Sequence, residues 1–105
     1  MKIINLTPHT INLVLENGTR AIEPSGKVAR VSATTIRTGF IDDVPTSATE
    51  YGEVVDLPAP EEGVVYVVSS LVAARVPSRN DVYIPNESVR DEDGRIIGCR
   101  SLGHV

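Results

Sequence analysis

The sequence predicts a mainly β domain, built as antiparallel sheets or as a small barrel or sandwich, with one short helix near residues 69–76. The chain holds 15 valines, nine isoleucines and eight threonines. These β-branched side chains fit a pleated sheet and crowd a helix. Its 105 residues suffice for a single domain over residues 1–105, whose one core needs no disulfide or metal.

The first quarter of the chain predicts three strands. Residues 2–6 and 11–15 are apolar runs joined across 7–10, where Pro8 fixes a turn and removes a ladder donor. Asn17-Gly18 lies between apolar runs and is a strong hairpin signal, which places the third strand near 19–23. After the turn residues 24–26, alternating side chains predict a long strand that ends near Arg37.

The middle of the chain predicts a flexible loop. Residues 38–49 are polar and contain Gly39 and Pro45, with few apolar side chains to anchor them. A segment of this kind is mobile or covers a site. A strand is then expected over residues 50–57, ended by Pro58.

The second half predicts a buried strand followed by the helix. Residues 64–68 form a continuous apolar run, typical of a strand covered on both faces. Ser69 is a natural N-cap, and Pro77 ends the helix. Brief strands at 82–84 and 88–90 and a hairpin turn at Asp93-Gly94 lead into a last strand over 95–102.

Composition excludes several classes of function. The net charge of -4 argues against binding of a nucleic-acid polymer, which needs a basic surface. No stretch is long and apolar enough to span a membrane or direct export, so a soluble cytoplasmic protein is expected. Cys99 is the only cysteine, which fits a reducing compartment. No metal site or cofactor is predicted, since His9 and His104 have no partners at ligand spacing.

Candidate binding residues cluster around the predicted helix. The amides of a helix start and the hydroxyls of Ser69 and Ser70 bind phosphate or carboxylate well, although a cap that binds nothing explains the same residues. Arginine grips such groups in a planar fork. Arg75 and Arg79 follow the helix, and Arg30 lies on the long strand; a surface or salt-bridging role is the alternative for each. Asp81 is placed to orient Arg79 or simply to neutralise it.

Two further residues are candidates for the wall of a ligand site. Tyr51 can stack on a base, and His9 can hydrogen-bond a ligand or tie down its own turn. Residues 41–62 hold seven acidic side chains and no lysine or arginine. This acidic segment is either a solvated loop or a contact surface, because it lacks the spacing of a calcium loop.

Several segments together resemble a family of small proteins of bacteriophages, prophages and bacteria. The resemblance covers nearly the whole chain. Its segments are Ile4-Asn5-Leu6-Thr7-Pro8-His9, Pro24-Ser25-Gly26-Lys27-Val28-Ala29-Arg30-Val31, Tyr51-Gly52-Glu53-Val54, Tyr66-Val67-Val68-Ser69-Ser70-Leu71-Val72-Ala73-Ala74 and Arg79-Asn80-Asp81-Val82. It implies a phage origin and an intracellular role during infection, and it carries no catalytic residues over.

Three hypotheses for function follow. The first is a homo-oligomeric, non-enzymatic protein that sequesters a small anionic nucleotide-derived signal of host antiviral defence, such as a cyclic ADP-ribose-like molecule or a cyclic dinucleotide. The second is a protein-interaction module, either an inhibitor of a host enzyme or a minor assembly factor, with the acidic segment as its contact surface. The third is a nucleotide-signal hydrolase, which requires His9 to meet a carboxylate.

Overall fold

The computed structural model describes all 105 residues and confirms a mainly β fold with one short helix. The helix begins immediately after Ser69, whose hydroxyl accepts a hydrogen bond from the Val72 amide at 3.4 Å. The elements are β1 (Lys2–Asn5), β2 (Ile11–Leu15), β3 (Gly18–Ile22), β4 (Arg30–Ile41), β5 (Val44–Val55), β6 (Val64–Val67), α1 (Ser70–Ala74), β7 (Val82–Arg90) and β8 (Ile96–Gly103).

Six strands form one curled sheet in the order β1-β6-β7-β8-β2-β3. The β2–β3 and β7–β8 hairpins are antiparallel as predicted, whereas β1–β6, β6–β7 and β2–β8 pair in parallel. The predicted neighbours β1 and β2 therefore lie in different parts of the sheet. A bridge between Asn5 and Pro24 brings the two edges together, so that the sheet forms a half-barrel.

The sheet buries two apolar clusters, one on each side, where the chain length predicted one core. Tyr66 and Val67 are consecutive residues of β6, and they belong to different clusters because successive strand side chains point to opposite faces. The first cluster contains Leu6, Ala29, Tyr66, Val68, Val72, Ala73 and Val82. The second contains Ile11, Leu13, Ile22, Val67 and Cys99. The continuous apolar run at 64–68 thus contributes side chains to both clusters, as predicted for a strand that is buried on both faces.

Strands β4 and β5 form a separate two-stranded hairpin, here called the arm (residues 30–55). The prediction of a loop over residues 38–49 is wrong, because these residues are the distal part of the arm. Asp42 and Asp43 both have positive φ, 46° and 64°, and connect Ile41 to Val44 in a two-residue turn. Positive φ at both central residues is the type I′ geometry that suits a tight hairpin.

The arm projects from the half-barrel. The radius of gyration is 16.9 Å, compared with about 13 Å for a compact domain of this length. The root of the arm is held by Val31 and Val54, which pack against the first core cluster. Twelve residues per strand correspond to a ribbon about 40 Å long, so the distal part lies far from the sheet.

Candidate functional site

The residues predicted to bind a ligand do not all line one cavity. Only Ser69 and His9 line the same cavity. Ser70 is exposed on the first helical turn and is not part of that lining. Arg30 begins β4, opposite Val55 and exposed to solvent. Ser70 and Arg30 thus lie outside the cavity that Ser69 and His9 line.

The side chain of Arg79 forms hydrogen bonds to other groups of the chain. Its Nε and Nη2 donate to the two carboxylate oxygens of Asp81 at 2.8 and 2.9 Å, and Nη2 also donates to the Pro58 carbonyl at 2.9 Å. The hydrogen bonds from Arg79 hold the pKa of Asp81 below its usual value, and the pKa of Arg79 is raised in turn. The bidentate pair fixes the Arg79 side chain, and its hydrogen bond to Pro58 ties the segment before β7 to the segment before β6.

The structure brings Arg75 and Tyr51 together, and their side chains contact each other. The Arg75 guanidinium carbon lies 5.4 Å from the centroid of the Tyr51 ring, which is a cation–π distance. The arginine thus covers one face of the Tyr51 ring, which was predicted to stack on a base. The contact fastens the end of α1 to the root of the arm.

The larger cavity has a volume of about 350 Å³ and lies between β2, β7 and β8. Three of its lining residues differ in exposure: Ile96 and Ile97 are 60% and 51% exposed, whereas Cys99 is buried. Burial raises the pKa of the Cys99 thiol. The lining consists of Thr7, His9, Thr10, Ile11, Asn12, Val68, Ser69, Pro85, Ser88, Ile96, Ile97, Gly98 and Cys99.

That lining contains no lysine, arginine, aspartate or glutamate. A phosphate would find no fixed cation there, and His9 has no carboxylate beside it in this cavity. A second depression of about 250 Å³ includes one arginine, the already paired Arg79. No group of three potential metal-ligating side chains converges anywhere in the chain.

The Asn-Leu-Thr-Pro-His segment has a structural role centred on Asn5. This side chain is 1% exposed. Its amide nitrogen donates to the carbonyls of His9 at 2.8 Å and Ile22 at 3.0 Å, and its oxygen accepts from the amide and the hydroxyl of Thr7 at 2.9 and 2.7 Å. Asn5 thereby uses both donors and accepts twice, and it fixes the 7–9 turn against the end of β3.

The arm ends in an apolar tip, defined here as residues 40–44. Phe40, Ile41 and Val44 are 69%, 68% and 61% exposed, and the turn between them carries Asp42 and Asp43. Exposed large apolar side chains that are clustered, not scattered, mark contact sites. This tip was not predicted from the sequence. The signal for it was a pair of aspartates, which tolerate positive φ, flanked by apolar residues.

No helix of the chain has the length and apolar character needed to cross a membrane. Comparison of the chain with protein-family models, with curated proteins and with solved structures gives no match. The resemblance to small phage proteins therefore stays a prediction, and function is inferred from the geometry of the chain.

Proposed function

We propose that the protein is a protein-interaction module and that the tip of the arm is its contact element. The observation that supports this is the exposure of Phe40, Ile41 and Val44 at the end of a long ribbon. The second of the three hypotheses is thus favoured, with a change of contact surface. The apolar tip and its two aspartates replace the broad acidic segment 41–62.

The chemistry of the tip specifies its partner. Three apolar side chains require an apolar pocket, and burying each of them contributes about 1.5–3 kcal/mol. Asp42 and Asp43 lie between them, so the rim of the pocket should carry lysine or arginine, which speeds association and fixes orientation. The partner is a protein with an apolar pocket and a basic rim. An inhibitor of a host enzyme and an assembly factor are the two roles that such a contact serves.

The experiment begins with a photo-crosslinking amino acid placed at position 40 of the full chain in host cells. The crosslinked protein is identified by mass spectrometry, purified, and titrated with the unmodified chain and its variants. Phe40→Ala should raise the dissociation constant about 30-fold, as expected for a central aromatic anchor. Ile96→Ala is the matched control, because Ile96 is 60% exposed but lies on β8.

A second pair of substitutions tests the charge of the turn without disturbing its backbone. Asp42→Asn and Asp43→Asn keep the preference for positive φ and remove both charges. They should slow association about tenfold at low salt and leave dissociation nearly unchanged. The proposal is overturned if no specific crosslink forms at position 40, or if Phe40→Ala binds the partner as tightly as Ile96→Ala.

A small-ligand role is a second candidate, and the cavity shared by His9 and Ser69 is the observation in its favour. Its apolar walls and hydroxyl groups suit the uncharged part of a nucleotide-like signal better than the phosphates. Melting temperatures should be measured with ADP-ribose, cyclic ADP-ribose isomers and cyclic dinucleotides. A ligand at 100 times its Kd would stabilise the chain by about 2.7 kcal/mol. The absence of any shift removes this candidate. Anti-defence activity, phage origin and cytoplasmic location stay predictions.

A further inference from the structure

The arm leaves both of its edges open. Strands β4 and β5 pair only with each other, and none of the backbone hydrogen bonds outside the regular elements involves residues 30–55. Every second amide and carbonyl along each strand therefore faces solvent. A ribbon of only two strands is marginally stable in water, and a long open edge is a template for another strand.

The two edges carry opposite charges. Strand β4 holds Arg30 and Arg37 and no acidic residue, whereas β5 holds Glu50 and Glu53 and no lysine or arginine. None of these four side chains forms a salt bridge within the chain, since the single ion pair is Arg79–Asp81. Like charges opposite each other destabilise strand pairing, and opposite charges stabilise it.

We propose that β4 of one copy pairs with β5 of a second copy, so that the arms form a continuous sheet. Pairing two β4 edges would bring arginines together, and pairing two β5 edges would bring glutamates together. Only the unlike pairing places cations beside anions. Pro45 is the second residue of β5, so the remaining edge, 46–55, keeps its amides for this contact.

This contact is heterologous, because it joins different surfaces of the two copies. Each copy still has one free β4 edge or one free β5 edge after pairing, so association continues into a ring or a chain. The tips then project together from the sheet. Such an array would raise the apparent affinity for a multivalent partner without any new contact. The proposed pairing uses the edges formed by residues 30–39 and 46–55, outside the tip, and does not depend on the function proposed for the tip.

Charge-reversal variants of the full chain test this pairing by light scattering over a range of concentrations. The wild-type chain should assemble beyond a dimer at low salt. R30E/R37E makes both edges acidic, and E50R/E53R makes both edges basic, so each variant alone should be monomeric. Mixing the two should restore assembly, because the acidic β4 of one fits the basic β5 of the other. Matched controls outside the arm are R20E/R100E and E16R/E92R, at exposed positions, which should assemble like the wild-type chain.

The outcomes separate the possibilities. A wild-type chain that stays monomeric overturns the proposal, as does either arm variant that assembles normally by itself. Failure of the mixture to assemble, with both variants folded by circular dichroism, excludes pairing of unlike edges. None of these results bears on the binding of a partner by the tip, which is measured with Phe40→Ala.

Discussion

Replacing Asn5 should cost the protein a large part of its stability. Asn5→Ala removes four hydrogen bonds from a site that is 1% exposed. Each such bond contributes about 0.5–1.5 kcal/mol net, and the buried partner groups lose their pairing as well. The sum is a loss of about 3–4 kcal/mol, against a typical total of about 5–15 kcal/mol.

The assay is thermal and urea unfolding of the wild-type chain and two alanine variants. For a domain of this size 1 kcal/mol corresponds to about 4 °C, so Asn5→Ala should lower the melting temperature by about 12–16 °C. Asn12→Ala is the matched control, since Asn12 is exposed on β2 and its side chain forms no hydrogen bond within the protein. It should change stability by less than about 0.5 kcal/mol.

Asn5→Asp makes the test sharper. The aspartate keeps the shape of the side chain but points an oxygen, in place of a donor, at the carbonyls of His9 and Ile22. This variant should be less stable than Asn5→Ala at neutral pH and should recover as the pH falls, because the protonated carboxyl regains a donor. If Asn5→Ala and Asn12→Ala unfold at the same temperature, Asn5 does not hold the turn as described.

Three further outcomes follow from the packing. Asp81→Asn should lower the free energy of unfolding at pH 7 by about 1–2 kcal/mol. Because Arg79 lowers the folded-state pKa of Asp81, the wild-type chain keeps this extra stability above about pH 4 and loses it as the pH falls further. Urea unfolding at several pH values would measure the difference. Gly98→Ala places a methyl group 2.6 Å from the Asn12 carbonyl oxygen and should cost about 1–3 kcal/mol in urea unfolding; an unchanged midpoint would contradict this close approach. Cys99, buried and with a raised pKa, should react with iodoacetamide much more slowly in the native chain than in urea, and equal rates would refute its burial.

Local signals predicted three of the local features correctly. The Asn17-Gly18 segment gave the β2–β3 hairpin, although the strands meet at Leu15 and Gly18, one residue earlier than a turn centred on those two would give. Ser69 gave the helix start, and the apolar run 64–68 gave the strand covered by both cores. Each of these three features depends on residues that are neighbours in the sequence, so the sequence was enough to predict it.

Non-local pairing was not predictable in the same way. No residue of β1 indicates that it pairs in parallel with β6 instead of folding back on β2, because that choice depends on burial in the finished half-barrel. The contacts of the candidate arginines were not predictable for a related reason. Arg79 and Arg75 carry suitable chemistry, but in the folded chain Arg79 pairs with Asp81 and Arg75 lies over the Tyr51 ring. Residues 38–49, the distal part of the arm, were predicted as a loop because they bury almost nothing and so show no apolar alternation.

Amide hydrogen exchange on the full chain tests the central claim most directly. The exchange rates of residues 38–46 would be compared with those of residues 7–12 and 96–99. One measurement adds the purified partner that crosslinking identifies, and a second adds the nucleotides used for the melting temperatures. The arm as contact element predicts that the partner protects 38–46 and that the nucleotides protect neither region. Protection of 7–12 and 96–99 by a nucleotide, with unchanged exchange at 38–46 in the presence of the partner, would show that the cavity and not the arm is the functional site.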